Sequence, residues 1–275
     1  MSSFTLKMIA IICMLIDHSC DVFVQHYSIG YVIGRIAFPL FAFQIVVGYE
    51  NTRDVKKYLE RILIFALISE IPYAIMIYNY IGTLDMNVFF DLFFALFSLV
   101  VWNSKQIHTK SNILNWTIKL LLIALMCFLS EILHFDHGTG GILTVLLIYI
   151  FYPFELNSKR REKKYINYNK IEKNKENNLE ENNNGINIRN IKMNQILRIV
   201  LFALVMAILS LSRFISFIPI IGINDYILVV MFTYLPTIFM LAYNGKKGPS
   251  LKYLFYAFYP IHITILNILY YICFK

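Results

Sequence analysis

The sequence lacks the cysteine patterns of redox and metal-binding proteins. It contains only four cysteines, none in a C-x-x-C pair and none at a metal-ligand spacing. Each lies within or beside an apolar run, where a free thiol packs as a small hydrophobic side chain. We therefore predict packing roles and no metal site for the four cysteines, which are Cys13, Cys20, Cys127 and Cys273.

Patterns of exported proteins, barrels and many transporters are also absent. The apolar run after Lys7 has no small-x-small cleavage site, so we interpret it as a retained span rather than a signal peptide. The apolar runs lack the alternating period of barrel strands, which leaves the helix as the spanning form. The sequence shows no internal repeat and no inverted pair of broken helices.

Apolar residues dominate what is present. They make up 58% of the 275 residues, and the mean hydropathy is +0.60. They form blocks near the length of about 20 residues that a helix needs to cross a bilayer. We predict an all-α, polytopic transmembrane bundle of about nine spans, at roughly 4–24, 31–49, 58–80, 87–102, 113–134, 138–154, 196–217, 224–243 and 253–273.

The basic residues gather in alternate loops. The net charge of +8 does not indicate nucleic acid, because the positive-inside rule explains this distribution. That rule predicts a cytoplasmic N-terminus. It also places the basic loops in the cytoplasm, at 53–57, 105–110, 155–195 and 246–252.

The segment 155–195 differs in composition from the rest of the chain. It is rich in Asn, Lys and Glu and too poor in apolar residues to bury a core. We predict a disordered cytoplasmic linker there, between helices 1–6 in residues 1–154 and helices 7–9 in residues 196–275.

Several ionisable or polar residues fall inside or beside the predicted spans. Such groups are costly in lipid, so they face a protein interior or a water-filled cavity. Two interpretations remain open: buried ion pairs that hold helices in register, such as Arg35 with Asp17 or Glu70, or a functional cavity. The predicted sidedness places most of them in the outer half, and the set comprises Asp17, His18, Arg35, Glu70, Asn87, Asp91, Asp136, Arg213 and His262.

His18 is the foremost candidate for a general base, because imidazole titrates near neutral pH. Its neighbour Asp17 lies about 100° round the helix, so the group that orients His18 need not be Asp17 and can come from another helix. A buried structural histidine is the alternative interpretation. His262 and His26 are further candidates for the base.

Six motifs carry a resemblance to a known family; in order along the chain they are LKMIAIICMLIDH, IGRIAFPLFAFQIVVGYENTR, KYLERILIFALISEIPY, NVFFDLFFAL, YNGKKG and FYAFYPIHITIL. With these motifs the chain resembles the TraX family of bacterial membrane proteins over nearly its whole length outside the linker. That family is named for a conjugation protein that N-acetylates pilin. One segment, FPLFAFQIVVG, is also similar to the second-helix signature of heparan-α-glucosaminide N-acetyltransferases, which deliver acetyl from cytoplasmic acetyl-CoA to an amine across the membrane.

The resemblance implies an integral acyltransferase of the bacterial cytoplasmic membrane, in contact with lipid. It would move acetyl from acetyl-CoA to an amine or hydroxyl of an extracytoplasmic acceptor, such as a pilin-like N-terminus or a glycan. The resemblance marks Asp17, His18, Arg35, Asn87 and His262 as family motif positions without assigning the catalytic one. Combined with the reasoning from the residues, it gives a hypothesis in which His18, or else His262 or His26, is the base and Arg35 or Asn87 steadies the oxyanion, with Asp17 a further catalytic candidate. The CoA phosphates would lie near Arg53, Lys56, Lys57, Lys246 and Lys247, and the substrate cavity would hold Glu70, Asp91, Asp136 and Arg213.

Two other functions fit the same residues. A proton-coupled transporter would use the intramembrane carboxylates and histidines as a proton relay. A non-catalytic membrane anchor would not need His18 at all.

Overall fold

A computed structural model of the chain describes residues 1–24, 29–80, 85–104, 111–152, 197, 200–205 and 235–274. Within these ranges the regular structure is helical apart from one bridge between Met86 and Phe135. The eight complete helices are α1 (Ser3–Phe23), α2 (Ile29–Gly34), α3 (Ala37–Asn51), α4 (Val55–Tyr80), α5 (Val88–Trp102), α6 (Asn112–Ile132), α7 (Gly138–Phe151) and α8 (Lys252–Phe274).

The seventh and eighth predicted spans are only partly described. Short helical stretches at 200–205 and 235–241 fall within them. The predicted linker, Arg213 and His26 lie outside the described residues.

The described helices form a membrane protein. Four stretches are long and apolar enough to cross a bilayer: Val32–Asn51, Val55–Asn79, Asn112–Ile132 and Tyr253–Phe274. Large apolar side chains point outward from these helices, with Ile71 71%, Ile113 80% and Ile272 73% exposed. Such faces suit lipid rather than water. The total of nine spans stays a prediction.

Helix α3 occupies the centre of the bundle. Ten of its 15 residues are buried, in an unbroken run from Ala37 to Val47 apart from Phe41. It packs against α1, α5 and α7, while α8 packs against α1 and α4. The polar residues of α1, α4, α5 and α8 therefore face a shared interior.

Proline explains where the second predicted span breaks. The chain leaves the helix at Arg35 and Ile36, between α2 and α3. Arg35 lies four residues before Pro39, whose missing N–H and bulky ring disfavour a helix at that point. In contrast, α4 continues through Pro72. The Pro72 carbonyl accepts a hydrogen bond from Asn267 Nδ2 at 2.8 Å, which ties α4 to α8.

The connecting segments separate into two ends, as the charge pattern predicted. At one end the start of α1 pairs with the basic loop: Ser3 N donates to Lys246 O at 2.8 Å, and Phe4 N donates to Lys247 O at 3.1 Å. At the other end Met86 N donates to His134 O at 2.9 Å. We call these the basic end and the opposite end. Their orientation in the membrane stays a prediction.

Cysteine labelling of whole cells tests that orientation. In a Cys273→Ser background, Lys56→Cys at the basic end should resist a membrane-impermeant maleimide, because the positive-inside rule places this loop in the cytoplasm. His134→Cys at the opposite end should react without permeabilisation. Both native side chains are exposed, so access differs only by side of the membrane. The reverse labelling pattern would invert the predicted topology.

Candidate active site

Two histidines that lie 244 residues apart in sequence meet inside the bundle. His18 Nδ1 of α1 is 2.8 Å from His262 Nε2 of α8. The rings are nearly parallel, at 9°, with centroids 5.1 Å apart. His262 is 4% exposed, and Tyr259 packs edge-on against both rings. The two imidazoles are thus held in one geometry by helix packing.

The hydrogen-bond partners fix the tautomer of each ring when both are neutral. His262 Nδ1 lies 2.8 Å from the Phe258 carbonyl, which only accepts, so this nitrogen carries the proton. His262 Nε2 is then an acceptor, and His18 Nδ1 must donate to it. His18 Nε2 is left with a lone pair, and among the described residues it has no hydrogen-bond partner. That atom can accept a proton from a substrate.

Asp17 faces a different helix from His18, as the helical period predicted. Its Oδ2 lies 3.7 Å from Arg35 Nη2, one of the two ion pairs that the sequence suggested. The carboxylate packs so closely on Gly34 that a Cβ there would fall 2.1 Å from Oδ2. The group that orients His18 is therefore His262 of α8 rather than Asp17.

Asn87 serves as a helix cap, and its predicted role at the oxyanion stays a prediction. It is fully buried, and its Oδ1 accepts from Phe89 N at 3.0 Å at the start of α5. Its Nδ2 donates to Glu70 Oε2 at 2.6 Å and to Ala66 O at 2.8 Å. Asn87 and Glu70 together join α5 to α4, so both polar ends of the Asn87 amide are already engaged.

Asp91 and Asp136 lie at the opposite end of the bundle. Asp91 is fully buried, and its Oδ2 accepts from His137 N at 3.1 Å, just before α7. Asp136 is exposed, with Oδ1 3.9 Å from His137 Nδ1. Asp91 thus ties α5 to the start of α7, and the predicted substrate role of Asp136 stays a prediction.

A cavity of about 440 Å³ extends from the basic end to Met14 and Tyr259; His18 and His262 are not among its described lining residues. At the basic end its walls include Thr52, Lys247 and Ser250. At its inner end they include Met14, one turn before His18, and Tyr259, which contacts both histidines. This volume is in the range of small-molecule sites. A ligand that enters at the basic end can therefore reach the neighbourhood of His18.

The structure separates the predicted phosphate-binding residues. Lys247 lines the cavity, whereas Lys246, Arg53, Lys56 and Lys57 are not among its described lining residues. Lys57 Nζ lies 3.5 Å from Asp54 Oδ2. The Lys57 backbone N–H, and then its ammonium group, hold the pKa of Asp54 below its ordinary value.

Two cations in the lining were missed by the sequence analysis. Lys7 of α1 and Arg61 of α4 both line the cavity near its basic end. Both belong to motifs that carried the resemblance, LKMIAIICMLIDH and KYLERILIFALISEIPY. The available signal was a single cation one to two turns inside a span, at a position where long side chains extend toward the membrane surface.

The fold and the site define an integral membrane protein with a polar intramembrane centre, next to a cavity whose mouth is basic. The chain belongs to the TraX family: it matches the family described as TraX protein over residues 2–164 and 186–270.

A curated relative covers nearly the whole chain. This is the probable fimbrial assembly protein FimC, serogroup H1, of Dichelobacter nodosus, which is 28% identical over 279 aligned residues. The alignment spans 96% of this chain and 94% of the relative. No solved structure matches the chain.

Proposed function

We propose that this protein is an acyltransferase of the bacterial cytoplasmic membrane that acts in pilus or fimbrial assembly. It moves an acetyl group from cytoplasmic acetyl-CoA to an amine or hydroxyl of an extracytoplasmic acceptor of the pilin type. The observation that carries the proposal is the hydrogen-bonded pair of His18 and His262, which packs against Tyr259 of the cavity wall. The name of the fimbrial relative supports the choice of acceptor.

The transfer needs a base because an amine attacks only after it has lost its proton. His18 Nε2 takes a proton from the acceptor nitrogen as that nitrogen bonds to the thioester carbonyl carbon. The C–S bond then breaks, and the CoA thiolate takes the proton from His18. His262 stabilises the transient imidazolium by accepting from His18 Nδ1 and donating to the Phe258 carbonyl.

The tetrahedral intermediate carries a negative oxygen that requires a donor. Asn87 is committed to the α5 cap, so Arg35 is the better of the two proposed donors. Its partner Asp17 keeps the guanidinium beside the α1–α2 contact. Glu70 has a structural role at the same cap, while Asp136 is exposed at the end where the acceptor would enter.

Transfer of radiolabelled acetyl from acetyl-CoA tests the function. Purified protein in nanodiscs should acetylate a peptide that copies the mature N-terminus of a pilin and release one free thiol per acetyl transferred. The same peptide with a blocked amine is the control. Proton-driven movement of a solute without acyl-CoA binding would instead establish the transporter alternative.

A further inference from the structure

The cavity contains a buried amide that the transfer chemistry does not use. Gln44 of α3 lines the cavity and is 7% exposed. Its Oε1 accepts from Ser3 Oγ at 2.5 Å, which orients the amide. Its Nε2 is buried and, among the described residues, has no hydrogen-bond partner. An unsatisfied buried donor is costly, so this atom marks a position where a ligand acceptor would be stabilised.

The same cavity carries an excess of positive charge. Lys7, Arg61 and Lys247 line it from α1, α4 and the loop before α8, and its described lining contains no Asp or Glu. Lys7 Nζ lies 5.2 Å from the centre of the Phe255 ring, and the Arg61 guanidinium lies 5.8 Å from that of Tyr58. Arg61 Nε is buried without a hydrogen-bond partner in the described part of the chain. This arrangement favours an anionic ligand.

The distance to the histidines limits the shape of that ligand. Along α1, Lys7 and His18 are separated by about 16 Å. An extended arm of about twelve bonds between a phosphate and a sulfur spans about 14 Å, scaled from the rise of an extended backbone. A phosphate bound by the cations would thus leave a thioester at the other end of the arm near His18.

We propose that this cavity binds a phosphorylated pantetheine thioester, with Gln44 as the residue that recognises its amide arm. Lys7, Arg61 and Lys247 bind the phosphate, and Gln44 Nε2 donates to the arm carbonyl nearest to it. This inference rests on the proposed function and adds the set of residues that selects the donor. Lys246, which precedes Lys247 in the sequence, does not belong to this set of residues.

Binding of CoA and of unphosphorylated acetyl-pantetheine to the full-length protein in detergent tests this assignment. Lys7→Met and Lys247→Ala should weaken CoA binding about tenfold or more but leave acetyl-pantetheine binding unchanged. Gln44→Met should weaken both ligands about five- to tenfold, because both contain the arm. Lys246→Ala is the matched control and should change neither. Gln44→Leu, which also loses the donor without adding a charge, serves if Gln44→Met does not fold.

The outcomes separate this assignment from the proposed function. If CoA binds equally well to the wild type and to the Gln44 and Lys7 variants, the assignment is wrong although transfer can still occur. If binding follows the expected pattern but no acetyl is transferred, the function is wrong and the binding site stands. Failure of the wild type to bind CoA, or full displacement of CoA by phosphatidylglycerol, would overturn the assignment and leave the cavity to lipid.

Discussion

Replacing His18 with alanine should lower acetyl transfer by about 10²–10⁴ while CoA binding is retained, because general-base catalysis contributes that much. His18 Nε2 is the nitrogen of the pair that the tautomers leave able to accept a proton. His262→Gln should cost less, because it alters the orientation and basicity of His18 without removing the base. Single-turnover transfer, measured beside CoA affinity, separates the chemical step from binding.

The control for this prediction lies at the opposite end of the bundle. His134 is exposed and has a positive φ of 50°, which asparagine tolerates, so His134→Asn should leave transfer unchanged. An unfolded His18→Ala protein would mean that the pair only holds α1 to α8. A folded variant with normal activity would move the role of base to His262.

Replacing Asn87 with alanine should lower the unfolding free energy by about 2–4 kcal/mol, from a lost N-cap and buried hydrogen bonds left unsatisfied. The side chain makes three hydrogen bonds, to Phe89, Glu70 and Ala66. Thermal denaturation in detergent measures the loss. Transfer per folded molecule should change only a few-fold, because Asn87 is not among the described lining residues of the cavity and meets them through the Phe89 backbone.

A graded variant sharpens this prediction. Asn87→Ser keeps a capping oxygen for α5 but loses the donors to Glu70 and Ala66, so its stability should fall between those of the wild type and Asn87→Ala. A normal melting temperature combined with lost turnover in Asn87→Ala would restore the oxyanion role that the sequence suggested.

The sequence predicted the helices well where long apolar runs define them. The first span was predicted at 4–24 and lies at Ser3–Phe23, and the third was predicted at 58–80 and lies at Val55–Tyr80. Run length reflects the thickness of the bilayer, so it requires no knowledge of tertiary contacts. Run length alone does not predict the break near Arg35. That break depends on Pro39, because proline disfavours the helical turn that precedes it.

The sequence named both members of the histidine pair but not their contact. Helical periodicity showed that Asp17 does not share a face with His18, so a carboxylate or carbonyl of another helix was open as the orienting group. In the structure the group beside His18 is an imidazole, that of His262. Nothing local specifies which of the remaining helices supplies it, because that depends on how α8 packs on α1. For the same reason the sequence alone did not single out Gln44. In the sequence it resembles any other polar residue in a span, and only the tertiary structure shows its contact with Ser3 and its place in the cavity wall.

Clusters of lysines in the sequence did not identify most of the cations that line the cavity. They selected loops that contain several cations, yet Lys56 and Lys57 do not line the cavity, whereas the isolated Lys7 and Arg61 do. Loop cations are explained by topology alone. A single cation inside an apolar run has no such explanation and was the more informative signal.

The contact between His18 and His262 also determines the stage of synthesis at which the histidine pair can first form. During synthesis α1 enters the membrane long before α8 is made, since 244 residues separate the two histidines. Until α8 is inserted, His18 has no acceptor for its Nδ1 proton, and the cavity lacks the wall formed by Phe255, Tyr256 and Tyr259. A nascent or truncated chain that lacks α8 therefore contains neither the histidine contact nor this wall of the cavity.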